Sequence, residues 1–321
     1  MTNKQKYREF CKIEKDIPIF SQDWWLDAVC GEDNWDVAIV ERGGEIWATM
    51  PYYIKKKWGF TLITMPPLTQ TLGPYIKYPQ GQKYYKKLSW EKEIMNELID
   101  QLPEFDYFYQ HWHYSITNWL PFYWRDFKQT TRYTYIIEKN ISLELLEEKF
   151  ETDIRRRRKK AYKLGLQIVS YEDVNLFYNL NKMTFNRKEI EVPYNYELVE
   201  KIYNSSKRNN AVDLLFAVYK DKPVSAGFFI KDYNTRYYLM GGINPDYKDL
   251  GGMDVVIFEA IRKTLNENKN FDFEGSIIES IEKYFRSFGS VQKPYFAIYK
   301  INSKILKLRN CLKEILKEVL G

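Results

Sequence analysis

The densest concentration of chemical groups in the 321-residue sequence is a run of six cations, Arg155, Arg156, Arg157, Arg158, Lys159 and Lys160. Such a run holds phosphate from a tRNA, a nucleotide sugar or an anionic lipid, or it is a solvated helix face. Consecutive helical residues diverge by about 100°, so two or three of the six can share one ligand. Arg155 and Arg158, one turn apart beside Tyr162, are the expected set. A second feature is Gly251-Gly252 ahead of Met253. Glycines opening a helix leave bare backbone N–H groups that suit a pyrophosphate, although Asp254 in the same turn competes for the helix dipole and a plain turn explains the pair equally well. His111 and His113 lie two apart in a strand and point one way. With no third ligand, structural histidines and no metal are the expectation. No nucleophile elbow occurs. Cys11, Cys30 and Cys311 are far apart and form no CxxC pair, so neither a disulfide framework nor a zinc site is expected, and the compartment is read as reducing and cytoplasmic.

The elements that must position these groups can be read from caps and turns. In the second half Ser142 caps a helix over 143–150, a basic helix over 153–164 stops at Gly165, and a strand follows at 167–170. Asp173 caps a helix reaching 187, and another spans 196–207. Strands at 214–219, 224–231 and 236–241 form an antiparallel meander. Then come a helix at 253–266, a strand at 271–273, a helix at 277–288 with Ser276 and Glu279 at capping-box spacing, and a strand at 294–300. The first half has nearly the same order: a helix at 24–29, strands at 37–41, 45–54 and 60–64, a helix at 90–102, and strands at 107–112 and 131–137. Ser115, Ile116, Tyr123, Arg125 and Phe127 match Ser276, Ile277, Tyr284, Arg286 and Phe288 at one offset of 161, as in 276 − 115. The expected architecture is therefore α/β (α+β), with two tandem lobes of mixed sheet flanked by helices, at 1–138 and 139–300. The remainder, 301–321, holds an amphipathic helix with Ile305, Leu308, Leu312, Ile315 and Val319 on one side. It is expected to pack on the first lobe, and a membrane-surface position is the alternative.

Composition sets outer limits. Hydrophobic content of 45% supports two cores, and 27 Tyr, 19 Phe and 9 Trp suit surfaces that are half apolar and half hydrogen-bonding. The 49 basic against 43 acidic residues give a formal +6, which favours anionic partners without marking a nucleic-acid binder. No run of about 18 apolar residues and no leader-like N-terminus occurs, so secretion and membrane spanning are not expected.

The segment 271–300, FDFEGSIIESIEKYFRSFGSVQKPYFAIYK, resembles the C-terminal signature of the Fem-like members of the GNAT acyltransferase superfamily, in which D-F-x-G leads into a helix carrying F-K/R-x-x-F-G. The element order of the second half and the N-P-x-Y of Asn244 to Tyr247 extend the resemblance over most of the chain. In Fem-like peptidyltransferases the basic residue of that helix stabilises charge beside an aromatic of the donor channel. Those positions resemble Arg286 and Phe285 here, with Arg keeping the cation but changing its geometry. Arg286 could equally complement the helix C-terminus. The resemblance also implies that Arg187 meets an anionic acceptor; the residues and the resemblance together suggest that Tyr238 joins Phe285 around the acyl group, and Glu274, at the end of the strand and facing the expected cleft, is a candidate base. Two departures matter. Cys30 stands after Trp25 and Val29 where users of nucleotide-linked muropeptides carry Lys, and the acetyl-CoA loop pattern Q/R-x-x-G-x-G/A is not intact at 249–253. No helical-arm insertion fits between 173 and 219. The resulting expectation is an N-acyltransferase using acyl-CoA, held at Gly251, Gly252 and Met253, on an amine of an amino sugar or cell-surface precursor, with an anionic, nucleotide-linked or lipid-linked acceptor. The alternatives are aminoacyl-tRNA-dependent transfer of the Fem type and a catalytically inactive ligand-binding pair.

Overall fold

Alternating apolar residues build strands and capped amphipathic stretches build helices throughout residues 1–187 and 189–309, the part of the chain described by this computed structural model. The elements divide into two units, Met1–Arg132 with Pro294–Gly321, and Tyr133–Lys293.

The first unit begins with α1 (Asn3–Ile13) and α2 (Asp23–Cys30), then β1 (Trp35–Arg42), β2 (Glu45–Lys57), β3 (Phe60–Thr64) and a two-residue β4 (Tyr75–Ile76). It continues through α3 (Tyr84–Asp100), β5 (Tyr107–His111) and α4 (Leu120–Tyr123). Helix α1 was not expected; its signal is a reciprocal capping box between Thr2 and Gln5. In the core Trp112, Phe108, Phe122 and Phe127 pack with Met95 and Ile298.

The second unit follows with β6 (Lys128–Ile137), α5 (Leu143–Lys149), α6 (Thr152–Lys163), β7 (Gln167–Ser170), α7 (Val174–Asn186) and α8 (Tyr196–Arg208). Strands β8 (Val212–Tyr219), β9 (Lys222–Lys231) and β10 (Thr235–Ile243) form the expected meander, followed by α9 (Gly252–Asn266), β11 (Asn270–Asp272) and α10 (Glu279–Arg286); β12 (Val291–Ile301) belongs from Pro294 onward to the first unit. Ser142 and Asp173 cap as read from the sequence, their side chains accepting from Leu145 N and Leu176 N. The capping box at Ser276 and Glu279 does not form. Ser276 Oγ instead takes Ile278 N at 3.0 Å, and α10 starts later, at Glu279.

Strand pairing departs from the expected lobes in one respect. Strand β5 pairs with β12, Ala297 opposite His111, while β11 pairs with β6, Phe271 opposite Ile137. Each closing strand therefore comes from the other half of the sequence, and the strand expected to close the second lobe at 294–300 groups with the first unit. The parallel pairs β3–β5 and β10–β11 are counterparts in the two units. The repeat shares packing more than surface: Phe127 and Phe288 are both buried, whereas Ile116 is buried and its counterpart Ile277 is 75% exposed.

Residues 304–309 are helical, as expected, but Ile305 and Leu308 are exposed. The expectations for Cys311, Leu312, Ile315 and Val319 fall outside the described residues. Cys11 and Cys30 are free thiols. Among the described residues no helix is long and apolar enough to cross a membrane.

Candidate active site

Strands β10 and β11 run parallel for only three residues, 235–237 against 270–272. Beyond that they are held by different neighbours. Strand β10 bulges against β9 between Tyr238 and Met240, and α7 takes its far end: Asn181 Nδ2 donates to Gly241 O at 2.7 Å, and Ile243 N donates to Thr184 Oγ1 at 2.9 Å. Gly242 permits this approach, since a Cβ there would lie 2.5 Å from Asn181 N. The chain leaving β11 turns back through Glu274 and Gly275, both left-handed at φ 60° and 69°, with Gly275 pressed against the Tyr133 carbonyl. A parallel pair that parts in this way opens the sheet at the carboxyl ends of its strands, where ligands of α/β sheets enter.

Three of the expected residues meet at this opening. The Tyr238 ring lies 6.1 Å from Phe285, edge to face, and its hydroxyl is 3.6 Å from Met253 Sδ. Phe285 stacks on Phe273 at 4.9 Å. Burial pushes the Tyr238 phenol up, so it stays protonated. The result is an apolar wall tipped by one hydroxyl and one thioether.

Two carboxyl groups sit at the turn. Asp272 is 2% exposed and accepts from the Thr134 hydroxyl and from Glu274 N, the latter at 2.7 Å. Burial, against the opposing hydrogen bonds, pushes its pKa up to about 7. Glu274 Oε1 is buried without a protein partner, and burial followed by the nearby Asp272 charge pushes Glu274 well above the carboxylate range. A left-handed non-glycine residue stores about 1 kcal/mol of strain. A strained carboxyl with one buried, unpartnered oxygen, beside a second whose pKa burial pushes up, is an arrangement suited to moving a proton. Sequence reading singled out Glu274 but missed Asp272 and Thr134, which lie 138 positions apart.

The start of α9 is closely packed, and no side chain caps its first N–H groups. Gly251 is left-handed and lies against the Arg157 carbonyl, and a Cβ on Gly252 would meet Ser225 Oγ at 2.7 Å. Close packing therefore explains both glycines. Asp254, in the first turn and 5% exposed, accepts from Arg157 Nε at 2.7 Å and from the Tyr284 hydroxyl at 2.8 Å. The cation that reaches this helix end is thus Arg157.

The expected pairing of Arg155 with Arg158 does not form. Arg158 is buried, bound to Glu147 and set 3.7 Å over the Phe258 ring, because Ile154 and Ala161 turn that side of α6 into the core. Arg155 is exposed and shares its face with other cations: Arg155, Arg156, Lys159, Lys160 and Lys163 are all exposed and, at 100° per residue, fall within an arc of about 140°. The exposed set of cations on this face is therefore larger than expected and excludes Arg157 and Arg158. Arg286 is half-exposed on α10 and held by Glu282 at 3.3 Å, a carboxylate that also accepts from Tyr135 at 2.8 Å. Arg187 is exposed at the end of α7. His111 bonds to Tyr109 and Gln70, His113 to Ser115, and burial depresses both to about 4. Among the described residues no group of three or more His, Cys, Asp and Glu could hold a metal.

A family model described as an acetyltransferase (GNAT) domain matches residues 148–276. The crystal structure of FemX superposes with a TM-score of 0.67 at 13% identity, covering 92% of this chain and 96% of that one. The C-terminal domain of a putative lysylphosphatidylglycerol synthetase from Agrobacterium fabrum superposes at 0.56 with 10% identity, over 98% and 97% of the two chains. L-PGS from Bacillus licheniformis gives 0.55 at 9% identity, over 98% and 96%. No curated protein matches by sequence. Residues 148–276, from the end of α5 to just past β11, thus match a GNAT acetyltransferase domain, and the chain has a FemX-like fold along nearly its whole length.

Proposed function

We propose that the protein transfers an aminoacyl group from aminoacyl-tRNA to an amine on a cell-envelope precursor. The observation that carries this reading is the division of the α6 cations: Arg157 and Arg158 are engaged by carboxylates of other helices, Asp254 and Glu147, and five cations lie exposed on one face. A single row of exposed cations about 1.5 Å per residue along a helix suits a polyanion better than one pyrophosphate. The α9 end, where a pyrophosphate would be held, already carries the Asp254 carboxylate, and a bound phosphate would be repelled by it. A lysylated lipid in the name of one fold neighbour, the putative lysylphosphatidylglycerol synthetase, fits an aminoacyl donor.

In this reading the neutral amine attacks the aminoacyl ester carbonyl, an amide C–N bond forms as the ester C–O bond to the tRNA ribose breaks, and the Asp272–Glu274 pair passes the amine proton to the departing ribose hydroxyl. Tyr238, Phe285 and Met253 flank the aminoacyl group, and Arg286, released from Glu282, stabilises the developing oxyanion. Arg155 holds donor phosphate, and Arg187 meets the acceptor. A second reading, acyl-CoA as donor, is favoured by one observation: no side chain caps α9 at Gly251, so its first N–H groups remain for an anion with Gly252 and Met253. Thermal unfolding separates the two. A ligand at a hundred times its Kd adds about 2.7 kcal/mol. A tRNA pool should raise the midpoint and acetyl-CoA should not; the opposite pattern would select acyl-CoA.

A further inference from the structure

Within the first unit, the tip of the β2–β3 hairpin and the helix over 304–309 are tied to one short loop. Asp106 accepts from Thr61 N through its carboxylate at 2.9 Å and donates its own N–H to Thr61 O at 2.8 Å. Its carbonyl accepts from Asn302 N at 2.9 Å, while Asn302 Nδ2 donates to Phe105 O at 3.0 Å. The hairpin tip and the helix are thereby held side by side, and Arg309 of the helix lies 5.7 Å over the Trp58 ring at the tip.

The surface so formed is unusual in composition. Lys55, Lys56 and Lys57 lead into Trp58, which is 72% exposed in a left-handed turn, with Lys57 4.3 Å over its ring. The helix adds Lys304, Lys307 and Arg309, all exposed, and two exposed aliphatic side chains, Ile305 at 69% and Leu308 at 64%. Neither segment contains Asp or Glu, and the carboxylate of Asp106 between them is engaged by a backbone N–H.

We propose that this face, Trp58 with Lys55–Lys57 and the Ile305/Leu308 side of the helix, docks the protein on an anionic lipid surface. Three apolar groups in water amid six cations are what an interface between headgroups and acyl chains accommodates: the aliphatic and indole groups enter the apolar boundary, and lysine and arginine heads stay with lipid phosphate. Nucleic acid is the poorer match, because Ile305 and Leu308 offer a base no aromatic face to stack on. This docking does not depend on which acyl donor the second unit uses. It would keep the enzyme at the surface where a lipid-linked acceptor resides.

Sedimentation of the full chain with vesicles tests the proposal. Vesicles of phosphatidylcholine with phosphatidylglycerol should capture the protein, and vesicles of phosphatidylcholine alone should not. Lys55, Lys56 and Lys57 changed together to Gln should weaken capture about 100-fold, from roughly a fivefold loss per basic residue. Ile305→Ser with Leu308→Ser should weaken it about tenfold or more. All five positions are exposed, so unfolding midpoints should match the wild type. Failure of anionic vesicles to capture the wild type, or equal capture of the variants, overturns the assignment. So does retention of a tRNA pool that depends on Lys55–Lys57 without vesicle binding, which would give the face to nucleic acid.

Discussion

Replacing Asp272 by Asn should make the protein more stable, and by an amount that depends on pH in a defined way. Asn has nearly the same shape and keeps an oxygen for the Thr134 hydroxyl and the Glu274 N–H, both of which Asp272 Oδ1 accepts. What it removes is a group whose ordinary pKa of 3.8 is pushed up to about 7, chiefly by burial. The raised folded-state value means that the unfolded chain loses this proton first as pH rises. The associated stability is fully present below about 4 and is lost progressively up to about 7. At 1.36 kcal/mol for each pH unit between the two values, the loss approaches about 4 kcal/mol. Urea unfolding from pH 4 to pH 8 should therefore show nearly equal stability of the two proteins at pH 4 and an advantage for Asn rising to as much as about 4 kcal/mol at pH 8. Parallel pH profiles, or a variant less stable at pH 8, would refute the assignment of a carboxyl whose pKa burial raises at this turn.

Glu274→Gly should relieve left-handed strain and add about 1 kcal/mol of stability while lowering the transfer rate more than tenfold; a stable, fully active variant would remove Glu274 from the mechanism. Gly242→Ala places a Cβ 2.5 Å from the α7 backbone and should cost about 1–3 kcal/mol, read by the unfolding midpoint, with a smaller cost showing that α7 does not fix the end of β10. Arg155→Glu with Lys159→Glu should weaken tRNA retention and flatten its dependence on salt, whereas Arg158→Ala should cost about 3 kcal/mol of stability and leave retention at low temperature unchanged. If both variants lose tRNA equally, the sorting of α6 into inward and outward cations is wrong.

Much of this was legible in the sequence because it is local. Ser142, Asp173 and Gly165 mark helix ends through hydrogen bonds within a few residues, and the structure keeps them. The Ser276/Glu279 box had the same local signature and failed, since the left-handed turn at Glu274–Gly275 delays the helix and diverts Ser276 Oγ to Ile278 N. The basic run was visible as charge but not as a face: which cations turn inward depends on Ile154 and Ala161 facing the core, and only then do Arg157 and Arg158 separate from the rest. Phe285 was marked by a family signature and Tyr238 by its place on the meander, and the two do meet. Asp272 was passed over because a single aspartate on a short strand looks ordinary; its environment comes from Thr134 on β6, a strand exchanged from far away in the chain.

The most direct test of the account follows labelled acyl groups. The protein would be incubated with a membrane extract and either a pool of labelled aminoacyl-tRNA or labelled acetyl-CoA, and label entering an acid-stable amide on the extracted precursor would be counted. The account predicts transfer from aminoacyl-tRNA alone, reduced at least tenfold in Glu274→Gln. Transfer from acetyl-CoA and not from aminoacyl-tRNA, or transfer indifferent to Glu274, would contradict it.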